Sequence, residues 1–491
     1  MATKIGILKA YIAAMELENT MNKYEGSTAP PLLGVPFVVK DAIAVKGTFS
    51  TGGLACRLNR RDKDDALVVK ALKNAGGIPI CKGNVVQGMG ISESYNRIYG
   101  RTRNPWDLNR SPGGSSGGDA ALVSMGCVPL SVSADGLGSI RIPASCCGVV
   151  GFKPTPMRMT FRGCMRPKKD DKFGASIAIP ATIGPMARCV DDCALFMKAV
   201  FTPDVYHGDR NIPPLDFNEN VYSDSSRKLK IGYFTTDGWM DPCPTGKRAM
   251  QEAIAVLENQ GHTCVPFKPP TDGWHHNKLC VSITAAEGNM RSFRDALEGE
   301  TMIPDYYPLV GVAALPNWMR QIAKLFLPKR IGHLLSCGKS GGLSVHELWD
   351  LTADLLKMKD QWSDAFNESG MDAVIFPALP IPAIAHGRCG KIMSVAYMFI
   401  ANLLCWPSGT IPITTIRENE QHYRNEDLPK EQRDMMSSYI AQEMKDSAGL
   451  PISVSVMTPA YQDELCLRVM REIEKGVNFT ARPKAWEQHT S

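Results

Sequence analysis

Two glycine-rich loops hold the side chains of this sequence best suited to covalent chemistry. The run Gly113-Gly114-Ser115-Ser116-Gly117-Gly118 carries adjacent hydroxyls, and 24 residues beyond Ser115 the run Asp135-Gly136-Leu137-Gly138-Ser139 carries another. Glycine lets backbone N–H groups approach a ligand and tolerates dihedrals that other residues avoid. Two such loops, each with a serine, have the makings of a nucleophile and of a cradle for an oxyanion. A base is still needed. No histidine lies near either loop, which argues against a locally built Ser-His-Asp arrangement. The best candidate is upstream, where Gly34-Val35-Pro36-Phe37-Val38-Val39 reads as a short buried strand that delivers Lys40 at its end, followed by Asp41. A free lysine titrates near about 10.4, so Lys40 can act as a base only in a largely dry site that lowers this value.

Taken together, Lys40, Ser115 and Ser139, the string GGSSGG, and Asp135-x-x-Gly138-Ser139-Ile140-Arg141 resemble the amidase signature family of serine hydrolases. The resemblance runs from about Gly34 to the C-terminus. Within the family it is nearest the fatty acid amide hydrolase group, through the SPGGSSGG string, GPMAR at 184–188, the spacing at 265–270 and ELCLRVMREIE at 464–474. It implies a Ser–cis-Ser–Lys triad with Ser139 as nucleophile, Ser115 as the bridging serine of a cis peptide and Lys40 as the base. It also implies that the N–H groups of Gly136, Leu137, Gly138 and Ser139 receive the oxyanion, each well-placed donor contributing on the order of 3 kcal/mol. Asp135, Arg141 and Ser116 would pin these loops, and Met89 would lie beside the reacting carbonyl. No cofactor and no metal is implied, and a homodimer is admitted.

One departure concerns Leu137, which stands where the family usually has glycine, while Gly136 replaces a larger residue. If position 137 required a positive φ, leucine would cost roughly 1 to 2 kcal/mol. Gly90 stands where an aromatic is common, Phe293 would line the acyl channel, and Tyr461 replaces another bulky aromatic.

Composition narrows the class. The 491 residues carry a net charge of +5 with no long block of one sign, so no nucleic acid partner is indicated. Fifteen cysteines without metal-ligand spacing read as thiols of a reducing compartment. The first 23 residues lack an uninterrupted apolar stretch and read as an amphipathic helix rather than a signal peptide. No run reaches the roughly 18 to 20 apolar residues of a transmembrane helix. The N-terminal membrane helix common in the fatty acid amide hydrolase group is thus not expected, and the chain is expected to be cytoplasmic and peripheral on intracellular membranes.

The elements that must position the loops alternate. Residues 64–73 read as a helix opened by a capping carboxylate and closed by Gly76-Gly77, with a strand at 78–81. Further on come strands at 229–233, 263–267, 373–376 and 452–457 and helices at 246–260 and 464–475. This alternation predicts an α/β fold, a mixed β-sheet core covered by helices on both faces, over a single domain of residues 1–491. Residues 203–228 read as a surface excursion and 418–433 as a solvated charged stretch.

Residues 306–336 suggest the substrate class. Leu315, Trp318, Met319, Ile322, Leu325 and Phe326 recur at helical spacing, with Arg320 and Lys324 expected on the other side, and Pro328 turns the chain into Lys329-Arg330-Ile331. Such a face either packs on a core or lies in a membrane interface; the resemblance implies a membrane-binding cap. The expected activity is cleavage of fatty acid amides, such as N-acylethanolamines or primary amides, to a fatty acid and an amine. Two alternatives are a short-chain amidase or amidotransferase A-like subunit, and a lipid-binding protein whose catalysis Leu137 impairs.

Overall fold

The computed structural model describes residues 29–165 and 178–483, together with Met15. The helix expected over the first 23 residues lies outside the described residues.

Ten strands form one sheet: β1 (Pro36–Lys40), β2 (Ile78–Gly83), β3 (Leu130–Asp135), β4 (Val150–Lys153), β5 (Thr182–Ala187), β6 (Lys230–Tyr233), β7 (Thr263–Pro266), β8 (Ala373–Pro377), β9 (Ser408–Thr415) and β10 (Pro451–Met457). Their order is β2-β1-β3-β5-β4-β9-β10-β8-β6-β7. The outer pairs at each end are parallel and the middle is antiparallel, so the sheet is mixed, as expected. Strands such as β8 (AVIFP) and β10 (PISVSVM) are buried along their whole length, which is what helices on both faces require.

The flanking helices that matter here are α1 (Leu67–Asn74), α2 (Gly117–Ser124), α3 (Arg141–Cys147), α4 (Val190–Val200), α5 (Pro244–Asn259), α6 (Tyr307–Ala314), α7 (Asn317–Phe326), α8 (Lys329–Ser336), α9 (Val345–Ser369) and α10 (Asp463–Val477). Helix α10 shows why the amphipathic reading succeeds. Its Leu465, Leu467, Val469, Met470 and Ile473 are buried, while Glu474 reaches α4 and accepts from the Val190 N–H.

One local expectation needs correction and two need refinement. Helix α1 begins at Leu67 after Ala66, without a side-chain cap. Of the two carboxylates that open the expected helix, Asp64 and Asp65, that of Asp65 instead accepts from the Lys46 N–H at 2.8 Å and pairs with Lys73. Residues 203–228 contain two short helices, Pro203–Gly208 and Glu219–Ser223, the second anchored by buried Tyr222. Residues 418–433 form three short 3₁₀ turns, and Glu420 there is not merely solvated: it accepts from Arg248 and from Thr245 Oγ1. Short helical pieces and long-range ion pairs leave little local periodicity, which is why the sequence pattern passes over them.

Candidate active site

Parallel pairing of β1 with both β2 and β3 brings the C-terminal ends of three strands together. Lys40 ends β1, Gly83 lies beside it in register at the end of β2, and β3 ends at Asp135. The apolar run Phe37-Val38-Val39 is fully buried and carries Lys40 with it, leaving the lysine only 2% exposed. Its Nζ donates to Ser115 Oγ at 2.8 Å and to the Ala134 carbonyl at 3.1 Å. Burial lowers the Lys40 titration well below its ordinary value, and the charges of Asp119 and Asp135 pull it partly back.

Ser115 is buried, and the Gly114–Ser115 peptide is cis. Ser116 stands at the N-cap of α2, fully buried, with no hydrogen-bond partner for its Oγ among the described residues. The expected pinning bond from Ser116 is therefore not formed.

The second loop is held from beneath by Asp135. Its Oδ1 accepts from the Gly138 N–H at 2.7 Å and its Oδ2 from the Ile140 N–H at 3.2 Å. Arg141 donates to both carboxylate oxygens, at 3.1 and 3.3 Å, and both partners are fully buried. Burial alone would raise the Asp135 carboxyl, but the Arg141 guanidinium, Lys153 and Asn402 outweigh it and hold the group well below the usual carboxylate range. Asn402 closes the cluster, donating to Asp135 at 3.0 Å and accepting from Arg141 at 2.6 Å. It lies 261 residues from Arg141, so sequence reading had no local signal for it.

This arrangement changes two expectations for the loop. Gly138 N–H is engaged by Asp135, so one of the four N–H groups expected to receive an oxyanion is already committed. The left-handed residue is Gly138, at φ +99°, and Leu137 is not among the residues of positive φ. A Cβ at Gly138 would meet Ile142 at 2.7 Å and Met398 at 2.9 Å, whereas one at Gly136 would meet only Ala181, at 3.6 Å. The cost foreseen for leucine at 137 does not arise. Ser139 follows at the turn into α3, half-buried, and among the described residues no hydrogen bond closes on its hydroxyl.

Met89 lies in a separate apolar cluster with Met165, Phe293 and Tyr306. Tyr306 fixes the turn that carries Met89: its hydroxyl donates to the Gln87 carbonyl at 2.7 Å and accepts from the Gly90 N–H at 2.9 Å. Tyr461, expected among the acyl-chain residues, is not in this cluster; it is half-exposed, and its N–H donates to Thr155 Oγ1.

The segment at 306–336 folds as α6, α7 and α8, with its apolar side turned outward. Phe326 is 83% exposed, Leu325 78%, Trp318 66% and Ile322 50%. The two arginines do not form an opposite basic face. Arg320 is buried and donates to the carbonyls of Val312, Ala313, Leu315 and Gly338. Arg330 is buried against Asp434, Gln432 and Ser437. A guanidinium's five donors suit the carbonyls freed where helices end, so these arginines brace the corner, while Lys324 and Lys329 remain outside.

Among the described residues no His, Cys, Asp and Glu cluster could hold a metal ion, and no disulfide is formed. Among the described residues no helix is long and apolar enough to cross a membrane.

A family model described as Amidase matches residues 5–467. The chain belongs to the amidase family. It is 34% identical to fatty-acid amide hydrolase 1 of Sus scrofa over 453 residues, covering 90% of this chain and 76% of that protein. It is 32% identical to fatty acid amide hydrolase 1 of Caenorhabditis elegans, covering 96% and 81%. A solved fatty acid amide hydrolase superposes with a TM-score of 0.81 at 20% identity, covering 96% of this chain and 77% of that one. The chain is an amide-hydrolysing enzyme of this family.

Proposed function

We propose that this amidase cleaves fatty acid amides at a membrane surface, with Ser139 as nucleophile, Ser115 as proton bridge and Lys40 as base. The observation that carries the chemistry is the 2.8 Å contact between Lys40 Nζ and Ser115 Oγ inside a dry site. An ammonium donates across such a contact, and a neutral amine accepts across it.

Neutral Lys40 takes the proton of Ser115 as Ser115 takes that of Ser139, and Ser139 Oγ forms a bond to the amide carbon. The negative charge on the carbonyl oxygen faces the N–H groups of Gly136, Leu137 and Ser139. The Lys40 ammonium then returns its proton through Ser115 to the nitrogen, the C–N bond breaks, and the amine leaves an acyl-enzyme. Water attacks next. Its proton follows the same route to Lys40 and back to Ser139 Oγ as the ester C–O bond breaks, freeing the acid. Protonating the departing nitrogen is what brings amides, rather than esters alone, within reach.

The substrate class rests on the exposed row of Trp318, Ile322, Leu325 and Phe326 on α7, which follows α6, whose Leu309 and Val310 pack on the Met89 cluster. A soluble surface rarely presents such a row unpartnered, and its composition suits an interfacial helix. The relatives named as fatty acid amide hydrolases point the same way. The test is hydrolysis of an acyl-chain-length series of ethanolamides, with and without phospholipid vesicles. Long chains cleaved faster on vesicles are the expected result. Cleavage confined to short soluble amides would keep the triad and discard the lipid assignment.

A further inference from the structure

The side chain of Asp119 lies against Gly83, the register partner of Lys40. We propose that this buried carboxylate acts through Lys40, holding the ammonium that Lys40 becomes when it receives the serine proton. The proposal rests on the assignment of Lys40 as the base.

Asp119 sits in the first turn of α2, four residues after Ser115, and is fully buried. Its Oδ2 accepts from Ser133 Oγ at 2.7 Å, and Ser133 is the β3 neighbour of Ala134, whose carbonyl accepts from Lys40. Its Oδ1 has no hydrogen-bond partner among the described residues. Space for that oxygen exists only because residue 83 is glycine: a Cβ there would lie 1.6 Å from Oδ1 and 2.7 Å from Cγ. Gly83 pairs in register with Lys40 itself. The sheet edge is thus cut away beside the lysine, and a carboxylate fills the gap.

Leaving a carboxylate buried with one hydroxyl donor is costly unless a cation shares its field. Two lysines are available. Lys82, from β2, already donates to the Ile43 carbonyl and to Ser50 Oγ. Lys40, from β1, uses two donors on Ser115 and Ala134, and its ammonium carries a third. The other groups bearing on the pair are Asp41, Asp135, Cys81 and Cys164. Asp135 is already matched by Arg141, whereas Asp119 Oδ1 has no partner among the described residues. Burial pushes the lysine down and the Asp119 carboxyl up, toward each other. The carboxylate therefore keeps Lys40 from becoming too weak a base in a site dry enough to neutralise it.

The experiment is the pH profile of kcat/KM for amide hydrolysis by the full chain, comparing wild type with Asp119→Asn, which preserves shape and an acceptor for Ser133. Removing the negative charge lowers the Lys40 titration. The rising limb should move to lower pH by about one unit, while the plateau falls about tenfold because the base is weaker. A limb left at the wild-type pH would overturn the proposal, including when the plateau alone drops, since that is what lost packing would do. If Asp119→Asn does not fold, Ser133→Ala is read instead: with one donor gone the carboxyl holds its proton more readily, and a smaller shift in the same direction is expected. An unmoved limb there would also overturn it. Lys40→Ala separates the two levels. If that variant keeps the wild-type rising limb, the assignment of Lys40 as the base has itself failed; if the limb is lost there while the Asp119→Asn limb is unmoved, only the role of Asp119 has.

Discussion

Gly136 and Gly138 flank the same leucine, yet only the second has no room for a side chain. A Cβ at 138 would meet Ile142 and Met398 inside 3 Å at a φ of +99°, while position 136 is open. Gly136→Ala should keep kcat/KM within about twofold, and Gly138→Ala should lose about a hundredfold or more as the N–H of Ser139 is turned away. Parallel kinetics with melting curves separate lost alignment from unfolding. The Lys40 titration gives a second expectation. A general base works when deprotonated, so kcat/KM should rise with pH and level off, with a midpoint below the roughly 10.4 of a free lysine because burial disfavours the ammonium. Lys40→Ala should abolish that limb; a profile flat in both proteins would contradict the assignment.

At the scale of elements, the outward face of α7 and the inward arginine of the same helix make opposite predictions. Leu325→Glu with Phe326→Glu should weaken sedimentation with vesicles about tenfold or more and leave hydrolysis of a short soluble amide unchanged. Arg320→Ala should lower the melting temperature instead, because it frees four carbonyls from their donor. The sequence spacing made α7 legible as amphipathic, but it could not tell which side faced the protein; Arg320 and Arg330, which look like surface charges in the sequence, are interior braces. The strand that carries Lys40, both serine loops and the strands β6, β7, β8 and β10 were readable because their apolar runs and glycine boundaries are local. Asn402 and Asp119 were not, since what makes each matter is a contact with residues brought near by the sheet: Arg141 for one, Gly83 and Ser133 for the other.

Across the whole molecule, one mixed sheet fixes the distance between residues far apart in sequence. Lys40 meets Ser115 because β1 lies between β2 and β3. The Asp135–Arg141–Asn402 cluster ties the end of β3 to residues near β9. Asp135→Asn leaves Arg141 buried without its counter-charge and should cost about 3–5 kcal/mol in urea unfolding. The lowered Asp135 carboxyl gives the pH sign. Its folded value lies below the unfolded one, so the stabilisation is fully present above the ordinary carboxylate range and fades as pH falls toward the lowered value. The central claim, however, is that Ser139 is acylated through Ser115 and Lys40. The most direct measurement is peptide mass mapping after reaction with a long-chain fluorophosphonate, in wild type, Ser139→Ala and Lys40→Ala. A single adduct on Ser139, absent in the first variant and formed far more slowly in the second, is the predicted result; an adduct on Ser115, or none in folded wild-type protein, would contradict the account.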